Sequence, residues 1–162
     1  MAKKRLEWDE AASASANSRV RLPAMAQSYF EQGRKLLDPS SAPAAMHHFR
    51  LETKAFRYSL EFFRPCYGPA LERYLEGLRE IQDCLGALND CAATRDLIAQ
   101  KLPKHDPERE KIEAFLTQKG RREAAKFRNY WRTTFDGPGQ EQRWLHYLSR
   151  PSGTTVPSDS AR

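Results

Sequence analysis

No stretch of this sequence approaches the ~20 consecutive apolar residues that a membrane-spanning helix requires. Mean hydropathy is −0.78 and charged residues make up 30% of the 162, so a polar globular protein with no membrane partner is expected. Cysteine is scarce. Cys66, Cys84 and Cys91 are odd in number and lack CxxC spacing, which disfavours a disulfide framework, a zinc site or a redox pair and suits reduced thiols in a cytoplasmic protein. The opening Met-Ala-Lys-Lys-Arg-Leu-Glu-Trp is charged with no apolar stretch behind it, so no secretory signal is expected. The eight glycines are scattered and build neither a Walker loop nor a dinucleotide fingerprint. HExxH, a Glu-x-x-His pair, a Cys/His cluster and a Ser/His/Asp order are all missing. The expectation is therefore no metal, no cofactor and no catalysis. Period-2 alternation with β-branched residues is missing too, so strands are not expected.

Proline, by contrast, recurs in pairs four residues apart: Pro39 and Pro43, Pro65 and Pro69, Pro103 and Pro107. The first of each pair can follow a helix end, and the second suits the first turn of the next helix. Pro23 suits another first turn; Asp106 and Ser41 are N-cap candidates. This punctuation predicts helices over 22–37, 43–64, 69–101 and 107–135, with a short fifth pattern over 140–149. In the third, Leu71, Leu75, Leu78, Ile81, Leu85 and Leu88 recur at helical steps as a packing seam, and Gly86 with Asn89-Asp90 marks a kink or break. The fold expected is all-α: an antiparallel four-helix bundle with short Pro-punctuated connections over 20–150. Residues 1–19 and 151–162 have the composition of disordered ends.

Basic residues outnumber acidic ones 27 to 21, a net +6 with pI ≈ 9.4, which favours an anionic partner. From Lys119 to Arg132 there are six basic residues and one acid, net +5, whereas Leu71 to Ile98 holds three basic and six acidic, net −3. In the 119–132 window Lys119, Arg122 and Lys126 border one edge of a helix and Arg121, Arg128 and Arg132 the other. Phe127, Trp131 and Phe135 fall at core spacing, so they read as anchors before they read as base-stacking platforms.

The second helix carries the sharpest pattern. At ~100° per residue, His47, Arg50, Lys54, Arg57 and Glu61 fall within an arc of about 80°. Phe49 and Leu60 flank it on one side and Leu51, Tyr58 and Phe62 on the other, with His48, Glu52 and Ser59 as the ordinary solvent face. Charge between apolar flanks needs a groove, a counter-charge or an anionic ligand. Asp83 or Asp90 on the third helix could supply internal salt bridges; anion binding is the reading preferred here.

The run His47-x-x-Arg50-x-x-x-Lys54-x-x-Arg57-Tyr58-x-x-Glu61 resembles the signature of the CHAD family, the conserved histidine α-helical domain. Leu78-x-x-Ile81-Gln82-Asp83-x-Leu85-Gly86-x-Leu88-Asn89-Asp90 is similar to that family's second signature. The resemblance implies an all-helical domain that binds inorganic polyphosphate without catalysis. By it, His47, Arg50, Lys54 and Arg57 become phosphate contacts, with Lys119, Arg122, Lys126 and Arg128 as additional basic residues outside the motif. It also implies association with polyphosphate granules in the cytoplasm. Domains of this family comprise two related four-helix halves around a basic cleft, and this chain matches one. A homodimer rebuilding the cleft is expected; the other outcomes are a half-cleft that binds weakly and a domain that has lost ligand binding. The alternative function is a helical module that binds nucleic acid or docks on an acidic partner.

Overall fold

The computed structural model describes residues 8–150. Its elements are α1 (Ala14–Lys35), α2 (Pro43–Phe62), a 3-10 turn (Arg64–Cys66), α3 (Leu71–Lys101), α4 (Pro107–Tyr130), a π-helical turn (Trp131–Phe135) and α5 (Gln140–Ser149). Every regular element among the described residues is thus a helix, as expected of an all-α fold, and there is no strand among them. α3 packs along α4 and α2, while α1 packs against α5 and α2.

The proline pairs do separate helices, and Pro43 and Pro107 open α2 and α4. The start of α1 differs from expectation. Ser13 accepts a hydrogen bond from the Ala16 N–H at 3.1 Å, and the helix runs from Ala14 straight through Pro23. Asn17 holds the preceding turn: its Nδ2 donates to the Asp9 carbonyl and its Oδ1 accepts from the Asp9 N–H, both at 2.9 Å. Of the stretch expected to be disordered, residues 14–19 are therefore helix, with Asn17 and Ser18 buried. Residues 1–7, like the tail expected over 151–162, lie outside the described residues. An Ala/Ser-rich composition resembles a loose end, and only the Ser13 cap and the Asn17 contacts make it a helix start.

Asp106 caps α4 as expected, accepting from the Glu108 and Arg109 N–H groups at 2.8 and 3.1 Å. Ser41 does not cap α2. Its hydroxyl donates backwards to the Asp38 carbonyl at 2.7 Å, and Ala42 takes the N-cap position without a side-chain bond. α3 runs unbroken through Gly86, Asn89 and Asp90, because packing on two neighbouring helices outweighs the low helix propensity of those residues. At its far end Arg109 donates to the Leu102 and Ala99 carbonyls at 3.0 and 3.3 Å, closing the connection to α4.

The core is aromatic at its centre. Trp131, fully buried, touches the rings of Tyr29, Phe30, Phe49, Phe127 and Phe135. α1 approaches that indole at Gly33, where any Cβ would stand inside the ring. Beyond Trp131 the helix widens by one residue: the Asp136 N–H donates to the Trp131 carbonyl at 2.7 Å, a five-residue step in place of four. That places the Asp136 carboxylate against Trp131 Nε1 at 3.2 Å and against Arg34, whose guanidinium donates at 2.7 and 2.8 Å. Arg34 also reaches Glu141 at the start of α5, and these hydrogen bonds hold its guanidinium even more firmly protonated than usual.

Candidate functional site

α2 turns Met46, Phe49, Thr53, Phe56 and Leu60 into the core. The side chains of His47, Arg50, Lys54, Arg57 and Glu61 form the next row round the helix, on the side that meets α3. There the Arg57 Nε donates to Gln82 Oε1 at 3.0 Å, and His47 Nδ1 lies 2.7 Å from Asn89 Oδ1. Arg57 also donates to Glu61 at 2.6 Å and lies over the Tyr58 ring at 4.6 Å. The stripe predicted from the wheel is therefore real, and it runs beside the α2–α3 seam. From His47 to Arg57 it extends ten residue steps, about 15 Å.

Its flanks differ from each other. Phe49 and Leu60 are buried, but Leu51, Tyr58 and Phe62 are 48%, 53% and 75% exposed. The second apolar flank thus faces outward. Glu52 and Ser59, expected on the open face, are half-buried; Ser59 lines a crevice with Leu22 and Met25 of α1, which covers that side of α2.

The internal-salt-bridge alternative named Asp83 and Asp90. Neither pairs with the stripe: both are exposed, one helical step of about 100° away from the positions that face α2. Those positions are Gln82 and Asn89, two neutral amides seven residues apart and so on one helix face. An amide oxygen orients a cation without cancelling its charge. Arg50 is half-buried, its Nε has no hydrogen-bond partner, and it forms no ion pair. Lys54, also half-buried, has neither a hydrogen bond nor an ion pair among the described residues. The carboxylate that does touch the row is Glu61 at its end, shared between Arg57 and, at 3.9 Å, Arg79. Arg79 bonds Glu72 at 2.6 Å and holds that carboxyl below its ordinary range.

Among the additional basic residues, the structure separates roles. Arg128 of α4 donates its Nε to the Leu36 carbonyl at 3.1 Å, and Arg132 of the π-helical turn donates to the Leu37 carbonyl at 2.9 Å, so both are tied to the segment just after α1. Lys126 pairs with Glu123 at 2.9 Å. Lys119 and Arg122 are exposed and carry no hydrogen bond or ion pair among the described residues. Arg121 and Arg128, unlike the other four basic residues of the 119–132 window, share a cleft with His47. Phe127, Trp131 and Phe135 are core anchors, as their spacing indicated.

Cys91 is buried and Cys66 and Cys84 partly so, all three as free thiols, with burial pushing the Cys84 thiol up. Among the described residues, no three His, Cys, Asp or Glu side chains gather as a metal site would need. No described helix is long and apolar enough to cross a membrane.

The family model of the CHAD domain matches residues 2–99, more than half of the chain. The chain belongs to the CHAD-domain family. The match includes the whole stripe on α2 and the Gln82 and Asn89 positions of α3, and it leaves the basic window of α4 outside. No curated protein and no solved structure matches this chain. Both amides lie within the second CHAD signature, next to the acids Asp83 and Asp90 that charge alone singles out. Their seven-residue spacing was the available signal.

Proposed function

We propose that this CHAD-domain protein binds inorganic polyphosphate along the α2 stripe and carries out no reaction on it. The observation that carries this reading is the uncompensated charge of Arg50 and Lys54, which lie between His47 and Arg57 on a row whose α3 partners are the amides Asn89 and Gln82, where a salt-bridged structure would present carboxylates. Cations repeating every three or four residues lie ~5–6 Å apart, a spacing suited to a chain with about one charge per phosphate. An Arg fork can take two phosphate oxygens, and Lys supplies a point charge. Family membership supports the same reading, since CHAD domains are associated with polyphosphate.

A homodimer is part of this proposal. The row Leu51, Tyr58 and Phe62 stands exposed directly beside the cations, and a two-fold partner seated there would cover apolar surface and bring a second stripe alongside the first. We place the protein in the cytoplasm, in association with polyphosphate granules.

Competition between long-chain polyphosphate and RNA of matched charge, at near-physiological salt, tests the ligand. Polyphosphate is expected to win per phosphate by at least about tenfold. Parity with RNA would replace this reading with a nucleic-acid one. Lys54→Ala is expected to weaken polyphosphate binding and flatten its salt dependence while helicity and melting stay near the wild type. Unchanged affinity in that variant would remove the stripe from the site.

A further inference from the structure

We infer a second ligand site on this protein, adjoining the phosphate stripe at His47: a cleft that fits an organic phosphate monoester with an apolar body. The cleft, of about 550 Å³, opens between the start of α2, the middle of α3 and α4. That volume suits a drug-sized molecule. Its floor is apolar, formed by Met46, Leu85, Leu88 and Leu116. Gly120, buried on α4, also lines the cleft, and Leu88 Cδ1 and Cys91 Cβ would lie at ordinary packing distances, 3.5 and 3.8 Å, from a Cβ built there.

The rim has the opposite character. Arg95, Arg121, Arg128 and His47 stand around it, and none of the residues lining the cleft is a carboxylate. Among the described residues Arg121 has no hydrogen bond or ion pair, and Arg95 makes one hydrogen bond, to Thr117 Oγ1 at 3.4 Å. Arg128 uses its Nε on the Leu36 carbonyl and keeps both Nη groups. Asp38 acts on Arg128 electrostatically, but its Oδ1 is engaged by the Ser40 N–H and hydroxyl. Pro43 opens α2 in the same wall without a side-chain cap on the helix, so the positive end of the helix dipole adds to the rim.

An apolar floor alone would take any small hydrophobe, and an arginine rim alone any anion. Together, and without a counter-charge, they select a molecule that is apolar at one end and anionic at the other. Bare polyphosphate has nothing to place on that floor. A flat ester such as 1-naphthyl phosphate has the required shape, and its phosphate can be shared among the arginine forks.

The test is fluorescence and calorimetric titration of the full chain with 1-naphthyl phosphate, 1-naphthol and inorganic phosphate, each alone. The ester is expected to saturate one site per chain, at least about tenfold more tightly than either fragment. Ala124→Phe, which fills the cleft from α4, and Arg121→Gln at the exposed rim are each expected to weaken the ester by about tenfold or more. Arg95→Gln serves as a second rim variant should the packing change disturb folding, which circular dichroism will show. Lys54→Ala is expected to leave ester binding unchanged, whatever it does to polyphosphate. Equal binding of 1-naphthol or inorganic phosphate, indifference to both rim variants, or loss of the ester in Lys54→Ala would each overturn the assignment.

Discussion

The cations of α2 look alike in sequence and differ in what surrounds them. Arg57 is held by Gln82 and Glu61 and lies over Tyr58, with its side chain 15% exposed. Arg57→Ala is expected to cost about 1–2 kcal/mol of stability as well as affinity, whereas Lys54→Ala should cost affinity alone; paired melting and titration curves separate the two. Tyr29 shows how a single buried group links pH to folding. Thr53 Oγ1 donates to the Phe49 carbonyl at 2.8 Å, so the Tyr29 hydroxyl, 2.9 Å away, is the donor in their bond. Burial is the main reason its pKa is pushed far above that of an ordinary phenol. A folded-state pKa raised above the unfolded one gives stability that is complete below about pH 10 and is lost as pH rises beyond it. Stability of the wild type is therefore expected to fall in alkali. Tyr29→Phe should be less stable at neutral pH by about 1 kcal/mol for the orphaned Thr53 oxygen, yet lose less between neutral pH and strong alkali. Parallel loss in the two proteins by chemical denaturation would discount Tyr29.

Among the elements, the junction of α1 with the end of α4 is the most constrained. Gly33 faces the Trp131 indole so closely that a methyl group cannot be added without moving the ring, and the ring is boxed by five other aromatics. Gly33→Ala is expected to destabilise by at least about 2 kcal/mol, despite the better helix propensity of alanine. A thermal melt within a degree or two of wild type would contradict this. The junction also shows why helix boundaries were only partly legible. Proline pairs and the Asp106 cap mark the starts of α2 and α4 in the sequence itself. The π-helical turn at Trp131–Phe135 carries no such local signal. It places the Asp136 carboxylate beside Arg34 and Trp131, residues five to 102 positions away.

For the whole molecule, the exposed row on α2 makes association the decisive measurement. Sedimentation at micromolar concentration is expected to show about twice 18.7 kDa, and Phe62→Glu, at a position 75% exposed, should return the protein to a monomer with its helicity intact. A wild-type monomer with and without polyphosphate would leave a single stripe as the whole binding surface. Helical class, the α2 stripe and the Trp131 anchors followed from the sequence by itself, because spacing along a helix determines which side chains share a face. The sequence could not tell which flank of the stripe is buried, because Leu51, Tyr58 and Phe62 are as apolar as Phe49 and Leu60. The outcome depends on where α1 and α3 lie against α2. Tertiary structure likewise turned Gln82 and Asn89 toward the stripe and Asp83 and Asp90 away from it. It also tied Arg128 to the segment just after α1 and brought Arg121 into a cleft with His47. Each of these follows from the packing of residues distant in the chain, which no local pattern encodes.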